Sequence, residues 1–240
     1  MTKYAQDLRY DVFSPFMAGG KSMSKIIIFT DYKTNYSCYH PRKKRKKNTM
    51  CKMVTPEYVK DMREGRYTMT ACIDKIFKEC HIETYPINVF RIARLLNFDI
   101  IYGKFKKDSV YGAMWDGSEE VSVGNKKSKR FILLNADDSD ERKAFTVAHE
   151  LGHFFLHCND NQNFYERYHS NGSQSTQQQK IENEADFFAA NLLLPEFVFM
   201  NYINLHKNLS RRKLSSKICK DFMVEEETVS KRFEELGVRR

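Results

Sequence analysis

The chain has 240 residues, 41% of them hydrophobic, which is enough to bury one full core and a small annex. No stretch approaches the roughly 18 apolar residues of a membrane span, and the first residues lack the layout of a secretion signal. The 6 cysteines are scattered without a C-x-x-C pair, which argues against a disulfide framework and a cysteine zinc cage. We therefore expect a cytoplasmic protein with no membrane contact.

The net charge of +9 is concentrated in the N-terminal quarter of the chain. Residues 1–65 hold 14 Lys and Arg against 6 Asp and Glu, whereas residues 66–240 hold 26 against 25. The six consecutive cations from Arg42 to Lys47 repel one another and must stay in solvent, so residues 1–66 are predicted to be a basic, partly disordered extension. This run could make weak contacts with nucleic acid or an acidic partner, or be a solvated linker without a ligand.

The main domain is predicted over residues 67–206 and is mostly helical. Apolar residues at helical spacing predict helices over residues 69–80 and 86–96, the second beginning at Pro86. Short apolar segments bounded by turn residues predict three strands, at residues 98–102, 110–115 and 130–134, and residues 25–30 could add another. The pattern indicates an α+β fold with a small three-stranded sheet before the next helix.

That next helix carries the strongest chemical signal in the chain. Residues 138–141 read as a variant capping box with acidic residues in the first turn, and apolar residues then recur at helical spacing through Phe155. Within this helix His149 and His153 are four residues apart, so both can point a ring nitrogen at one metal ion. Glu150 lies beside the metal, where its carboxylate can take a proton from an activated water. The alternative is that the two histidines are core residues satisfied by neighbouring carbonyls or carboxylates.

A catalytic zinc site needs a third protein ligand, and residues 181–195 are the obvious source. Small and apolar side chains form a stripe that can pack on the first helix. Glu184 sits at the edge of this stripe and can face the metal, and Glu182 is the competing ligand. Asp186 could accept a hydrogen bond from a ligand histidine, and His157 is predicted to support the site rather than bind the metal.

Two further segments of the chain also have recognisable patterns. Residues 159–179 are polar and repetitive and predict a mobile loop near the cleft, from which Tyr165, Tyr168 or His169 could stabilise an oxyanion. Residues 207–240 predict two short helices that pack on the core and end at a glycine. A DNA-reading helix-turn-helix is disfavoured there because the second helix is rich in glutamate, which phosphate would repel.

The sequence His149-Glu-Leu-Gly-His153, followed by Glu184-Ala-Asp-Phe-Phe-Ala-Ala-Asn-Leu-Leu-Leu-Pro195, resembles the ImmA/IrrE family of zinc metallopeptidases over about residues 71–237. The resemblance implies a zincin-like fold, one zinc ion bound by His149, His153 and Glu184, and Glu150 as catalytic base. It also implies an intracellular endopeptidase, several relatives of which cleave a transcriptional repressor. By analogy with zincins, the strand over residues 131–135 would lie at the cleft edge and pair with an extended substrate.

Two functional hypotheses follow. The first is a zinc-dependent endopeptidase acting on a protein substrate such as a helix-turn-helix repressor of a mobile element or stress locus. The second is a regulatory or nucleic-acid-binding protein in which the zincin-like domain is not catalytic and the basic run supplies the contacts. Substitution of Glu150 by Gln separates them, because only the first depends on that carboxylate.

Overall fold

The computed structural model describes residues 10–13, 26–29, 64–65, 68–105, 110–123, 126–157, 164–168 and 176–238. The basic run from Arg42 to Lys47 and His169 lie outside these described residues, as does most of the predicted basic extension. Tyr165 and Tyr168 belong to a described strand, but the positions of their side chains are not described. The predictions made for these groups therefore stay predictions.

The described residues form helices and the strands of one sheet. The strands are β1 (Tyr10–Phe13), β2 (Ile26–Phe29), β3 (Asp99–Phe105), β4 (Val110–Val123), β5 (Lys126–Asn135) and β6 (Phe164–Tyr168). The helices are α1 (Met69–Glu79), α2 (Val89–Leu95), α3 (Asp140–Leu156), α4 (Thr176–Leu193), α5 (Glu196–Leu205), α6 (Arg211–Phe222) and α7 (Glu226–Glu235). The predicted α+β, zincin-like fold class is confirmed. None of the helices in the described ranges is both long and apolar enough to cross a bilayer.

The sheet is larger than predicted. Its strands follow the order β1-β2-β3-β5-β4-β6, in which only the β3–β5 pair is parallel. The β4 strand continues beyond its predicted end at residue 115. The turn-forming residues Asp116 and Gly117 lie at the start of an irregular stretch of its pairing with β5, between Asp116 and Val121. The turn signal thus marked a bulge within a hairpin rather than the end of a strand.

The position of β5 corrects the predicted substrate path. Residues 131–134 pair with β3 on one side and β4 on the other, so β5 is an interior strand. An interior strand has no row of unpaired backbone groups to offer to an extended peptide. Among the described strands, β6 is the terminal one on the β4 side. The prediction that residues 131–135 add a substrate strand was therefore wrong.

The helix ends follow the chemistry of capping side chains. The α3 helix begins after Ser139, whose Oγ accepts a hydrogen bond from the Arg142 amide at 3.1 Å, as the predicted cap region requires. The α2 helix begins later than predicted, because Asn88 rather than Pro86 provides the start by accepting from the Arg91 amide at 2.9 Å. At the other end, Gly237 has the positive φ of 62° expected of the predicted glycine cap.

The core lies between the sheet and the helices, with α3 at its centre. This helix packs against β4 and β5 on one side and against α4 on the other. One buried hydrophobic cluster includes residues of α1 to α7, so the C-terminal helices α6 and α7 share the core of the main domain. The hydrophobic contacts of Leu214, Phe222 and Phe233 hold that pair in place.

Candidate metal centre

Two imidazoles on α3 converge on one point inside the protein. His149 and His153 are 1% and 0% exposed, and their Nε2 atoms are 2.9 Å apart. The four-residue spacing puts both rings on the same face of the helix, as predicted. Two buried ring nitrogens aimed at each other need a shared partner, because burial of unsatisfied polar atoms is costly.

A carboxylate from α4 completes the group. Glu182 places one oxygen 3.2 Å from His149 Nε2 and the other 3.6 Å from His153 Nε2. One donor atom from each of the three residues lies within 4.8 Å of the other two. Two nitrogens and one carboxylate oxygen in this arrangement could hold a metal ion.

Glu184, the predicted third ligand, does not join this group. Its Oε2 lies 2.9 Å from the Nε2 of His157 instead, and its side chain is 44% exposed. A helix turns by about 100° per residue, so side chains two positions apart project from different sides of its surface. When Glu182 faces the two imidazoles, Glu184 cannot. In the described structure, the carboxylate that faces the two imidazoles is therefore that of the competitor Glu182, not that of Glu184.

Small residues allow α4 to approach α3 closely. A Cβ on Gly152 would lie 3.1 Å from the Ala185 Cα and 3.2 Å from the Ala185 carbonyl oxygen. Both residues are buried, and together they leave little space between the two helix backbones. The glycine inside the His-Glu-Leu-Gly-His sequence thus brings Glu182 within reach of the imidazoles.

The outer nitrogen of each imidazole, Nδ1, also has a partner. His149 Nδ1 lies 2.8 Å from Asp186 Oδ1, the contact predicted from the sequence, and Lys231 of α7 approaches the other Asp186 oxygen at 3.6 Å. His153 Nδ1 lies 3.1 Å from His157 Nδ1. Such partners orient ligand histidines around a metal.

Glu150 follows His149 in the chain and is buried, and its helix packs against β4. A Cβ on Gly112 would collide with the Thr146 methyl and lie 3.0 Å from the Leu133 carbonyl oxygen and 3.7 Å from Glu150 Oε1. Gly112 therefore lets the β4 backbone lie directly over the helix face that carries Glu150. The role of Gly112 is not evident from the sequence, because a single glycine within a strand pattern indicates a bulge or a close approach without identifying the neighbour.

The protonation states suit a cation. Burial lowers the pKa of His153 to about 4, so its ring is neutral at pH 7 and keeps a nitrogen lone pair for a metal. For Glu182, burial raises the pKa, but hydrogen bonds with His149 and His153 outweigh burial and hold the pKa below its usual value. The carboxylate is therefore ionised and acceptor-only.

The donor set fits zinc in chemistry and in size. Zinc prefers imidazole nitrogen and carboxylate oxygen, with bonds of about 2.0–2.2 Å in a tetrahedral arrangement. Two nitrogens bound in this way would be roughly 3.3 Å apart, close to the 2.9 Å between the two Nε2 atoms. Three protein ligands also leave a fourth position for water, as in catalytic rather than structural zinc sites.

The helices that carry this site lie within a region that matches a known protein family. The sequence model described as the IrrE N-terminal-like domain, Peptidase_M78, matches residues 95–234, which include α3 and α4. The chain is 27% identical over 143 residues to "Uncharacterized immunity region protein 2" of Bacillus phage phi105, covering 58% of this chain and 77% of that protein.

A solved structure named as a Mycobacterium tuberculosis transcriptional regulator is also similar, with 16% identity and a TM-score of 0.42. That match covers 74% of this chain, and the chain spans about half (51%) of the regulator's length. The family match alone covers more than half of the 240 residues. The chain belongs to the Peptidase_M78 family of IrrE N-terminal-like domains.

Proposed function

We propose that this protein is a zinc-dependent endopeptidase in which His149, His153 and Glu182 bind one zinc ion and Glu150 is the general base. The observation that carries the proposal is the convergence of the three donor groups next to a second buried carboxylate. Family membership supports a metallopeptidase, and the donor chemistry supports zinc.

Each residue has a distinct part in the proposed reaction. When bound, zinc would polarise the scissile carbonyl and make the attacking water more acidic. Glu150 accepts the proton of that water and later delivers it to the leaving amine. Glu150 follows His149 directly in the chain and is fully buried, which favours this role. Asp186 holds the His149 ring in the orientation that presents Nε2 to the centre.

The proposed substrate is a protein, and we infer that it is a transcriptional repressor with a helix-turn-helix domain. The matched phage protein is named for an immunity region, which supports a substrate that belongs to the same kind of locus. The scattered cysteines of the sequence, which form no C-x-x-C pair, support action in the reducing cytoplasm.

The substitution Glu150→Gln tests the activity even when the substrate has not been identified. Gln keeps the size of the side chain but cannot accept the proton, so cleavage should fall at least about 100-fold while zinc binding is retained. Labelling of new protein N-termini in cells that express the wild type or the variant, together with the rest of the genetic locus, measures this. We expect at least one cleavage product with the wild type that is missing with the variant.

The same comparison separates the rival function. If the variant binds zinc, yields the same N-termini as the wild type and keeps its effect on gene expression, the protein is not an endopeptidase. A further loss of that effect on deletion of residues 42–47 would then assign function to the basic run.

A further inference from the structure

A second histidine and a second carboxylate continue outward from the proposed metal centre. His153 Nδ1 lies 3.1 Å from His157 Nδ1, and His157 Nε2 lies 2.9 Å from Glu184 Oε2. The His153 side chain is fully buried and the His157 side chain is only 9% exposed, so their mutual contact is shielded from solvent, whereas Glu184 is 44% exposed. Three side chains thus form a line from the centre to the protein surface.

The chemistry of the atoms allows one arrangement of protons along this line. A neutral His153 that binds a metal through Nε2 carries its proton on Nδ1 and donates it to His157 Nδ1. His157 must then carry its own proton on Nε2. An ionised Glu184 only accepts, and its Oε2 is within hydrogen-bonding distance of that Nε2. Each donor in the series therefore meets an acceptor.

The two imidazoles of the centre are supported in different ways. Asp186 contacts the outer nitrogen of His149 directly at 2.8 Å. At the outer nitrogen of His153, the imidazole of His157 stands between that nitrogen and the Glu184 carboxylate. Three acidic residues of α4 therefore have different partners. Glu182 contacts the centre itself, Glu184 contacts His157, and Asp186 contacts His149.

We propose that His157 and Glu184 form a positioning relay that fixes the tautomer and orientation of His153. This inference rests on the proposed metal centre and adds to it two residues that do not touch the ion. Carboxylates and other acceptors behind ligand histidines typically raise metal affinity by about 10–100-fold. In this relay Glu184 supports His153 through His157, whereas the sequence predicted Glu184 to be a metal ligand.

The test is the zinc dissociation constant, measured by competition with a chromophoric chelator. His157→Leu removes both contacts and should weaken zinc binding about 10–100-fold. His157→Asn retains an acceptor where Nδ1 stood, so it should bind zinc more tightly than His157→Leu. Glu184→Ala should weaken binding less than His157→Leu, because the His153 to His157 contact survives. Lys180→Gln, which removes only the outer ion pair with Glu184 at 3.8 Å, is the matched control and should bind as the wild type does.

Each contrary result has a separate meaning. Wild-type affinity in His157→Leu, or equal affinities in the Leu and Asn variants, would overturn the relay. A larger loss in Glu184→Ala than in His157→Leu would also overturn it, because Glu184 would then be a direct ligand. Thermal unfolding of each metal-free variant verifies that the comparison is between folded proteins. A wild type that binds no zinc would overturn the metal centre itself, whereas a failed relay would leave wild-type zinc binding and proteolysis unaffected.

Discussion

Two regions of this protein bury polar side chains, and they do so for different purposes. In α3, His149 and His153 direct ring nitrogens toward each other and toward Glu182 of α4, and Glu150 is buried on the same helix. In α7, Arg232 is 1% exposed and donates from Nε to the Leu194 carbonyl at the end of α4. Its Nη1 also donates to Glu235 at 2.6 Å.

The partners distinguish the two cases. Arg232 donates a hydrogen bond to the Leu194 carbonyl, which has no donor within the helix because it lies at the helix end. This role is structural. His149 and His153 of α3 instead meet Glu182 around a point that suits a cation, which indicates a chemical role. We conclude that the convergence of buried side chains on one point is a stronger functional signal than burial of charge alone.

The largest expected effect is on metal binding through Glu182. Glu182→Gln removes the anionic ligand but preserves shape, so zinc affinity should fall by more than about 100-fold, beyond the loss typical of supporting residues. Glu184→Gln is the matched control on the same helix and should lose less than about tenfold. Chelator competition measures both. The reverse order of the two losses would restore Glu184 as the ligand.

The next largest effect is on stability through Arg232. Arg232→Ala leaves a cavity and deprives the Leu194 carbonyl of its donor, which should lower the free energy of unfolding by about 2–4 kcal/mol. Chemical denaturation of the metal-free protein measures this change. Glu234→Gln, on the exposed side of the same helix, should stay within about 0.5 kcal/mol of the wild type. Equal stability of the Arg232 and Glu234 variants would contradict the structural role.

A smaller effect is expected at the contact between β4 and α3. Gly112→Ala forces a methyl group against Thr146, which should cost about 1–3 kcal/mol of unfolding free energy. Adding Thr146→Ser removes the methyl that the new Cβ would meet and keeps the hydroxyl that donates to the Arg142 carbonyl, so stability should be partly restored. Ser122→Ala, at an exposed position of β4, is the control. Additive losses in the double variant would show that the clash lies elsewhere.

The sequence predicted most accurately where local chemistry decides the structure. The start of α3 after Ser139 and the placement of His149 and His153 on one face depend only on capping and on the helical repeat. The choice between Glu182 and Glu184 depends on how α4 is rotated about its axis. The apolar stripe gives that rotation only approximately, and the close contact between Gly152 and Ala185 decides it.

The sheet shows the same limit. Three strands were evident from short apolar segments, but the order of strands depends on pairing between distant parts of the chain. The interior position of β5 follows from its partners β3 and β4 and could not be read from residues 130–134 themselves. His157 lies a full turn beyond His153 and outside the group formed by His149, His153 and Glu182, but its contact with Glu184 could not be read from the sequence.

The most direct test of the metal centre is a crystal structure of the zinc-loaded protein with anomalous diffraction collected at the zinc absorption edge. We predict one anomalous peak per chain, within about 2.0–2.2 Å of His149 Nε2, His153 Nε2 and a carboxylate oxygen of Glu182. A fully zinc-loaded crystal with no peak at these residues, or with a peak coordinated by Glu184 in place of Glu182, would contradict the account.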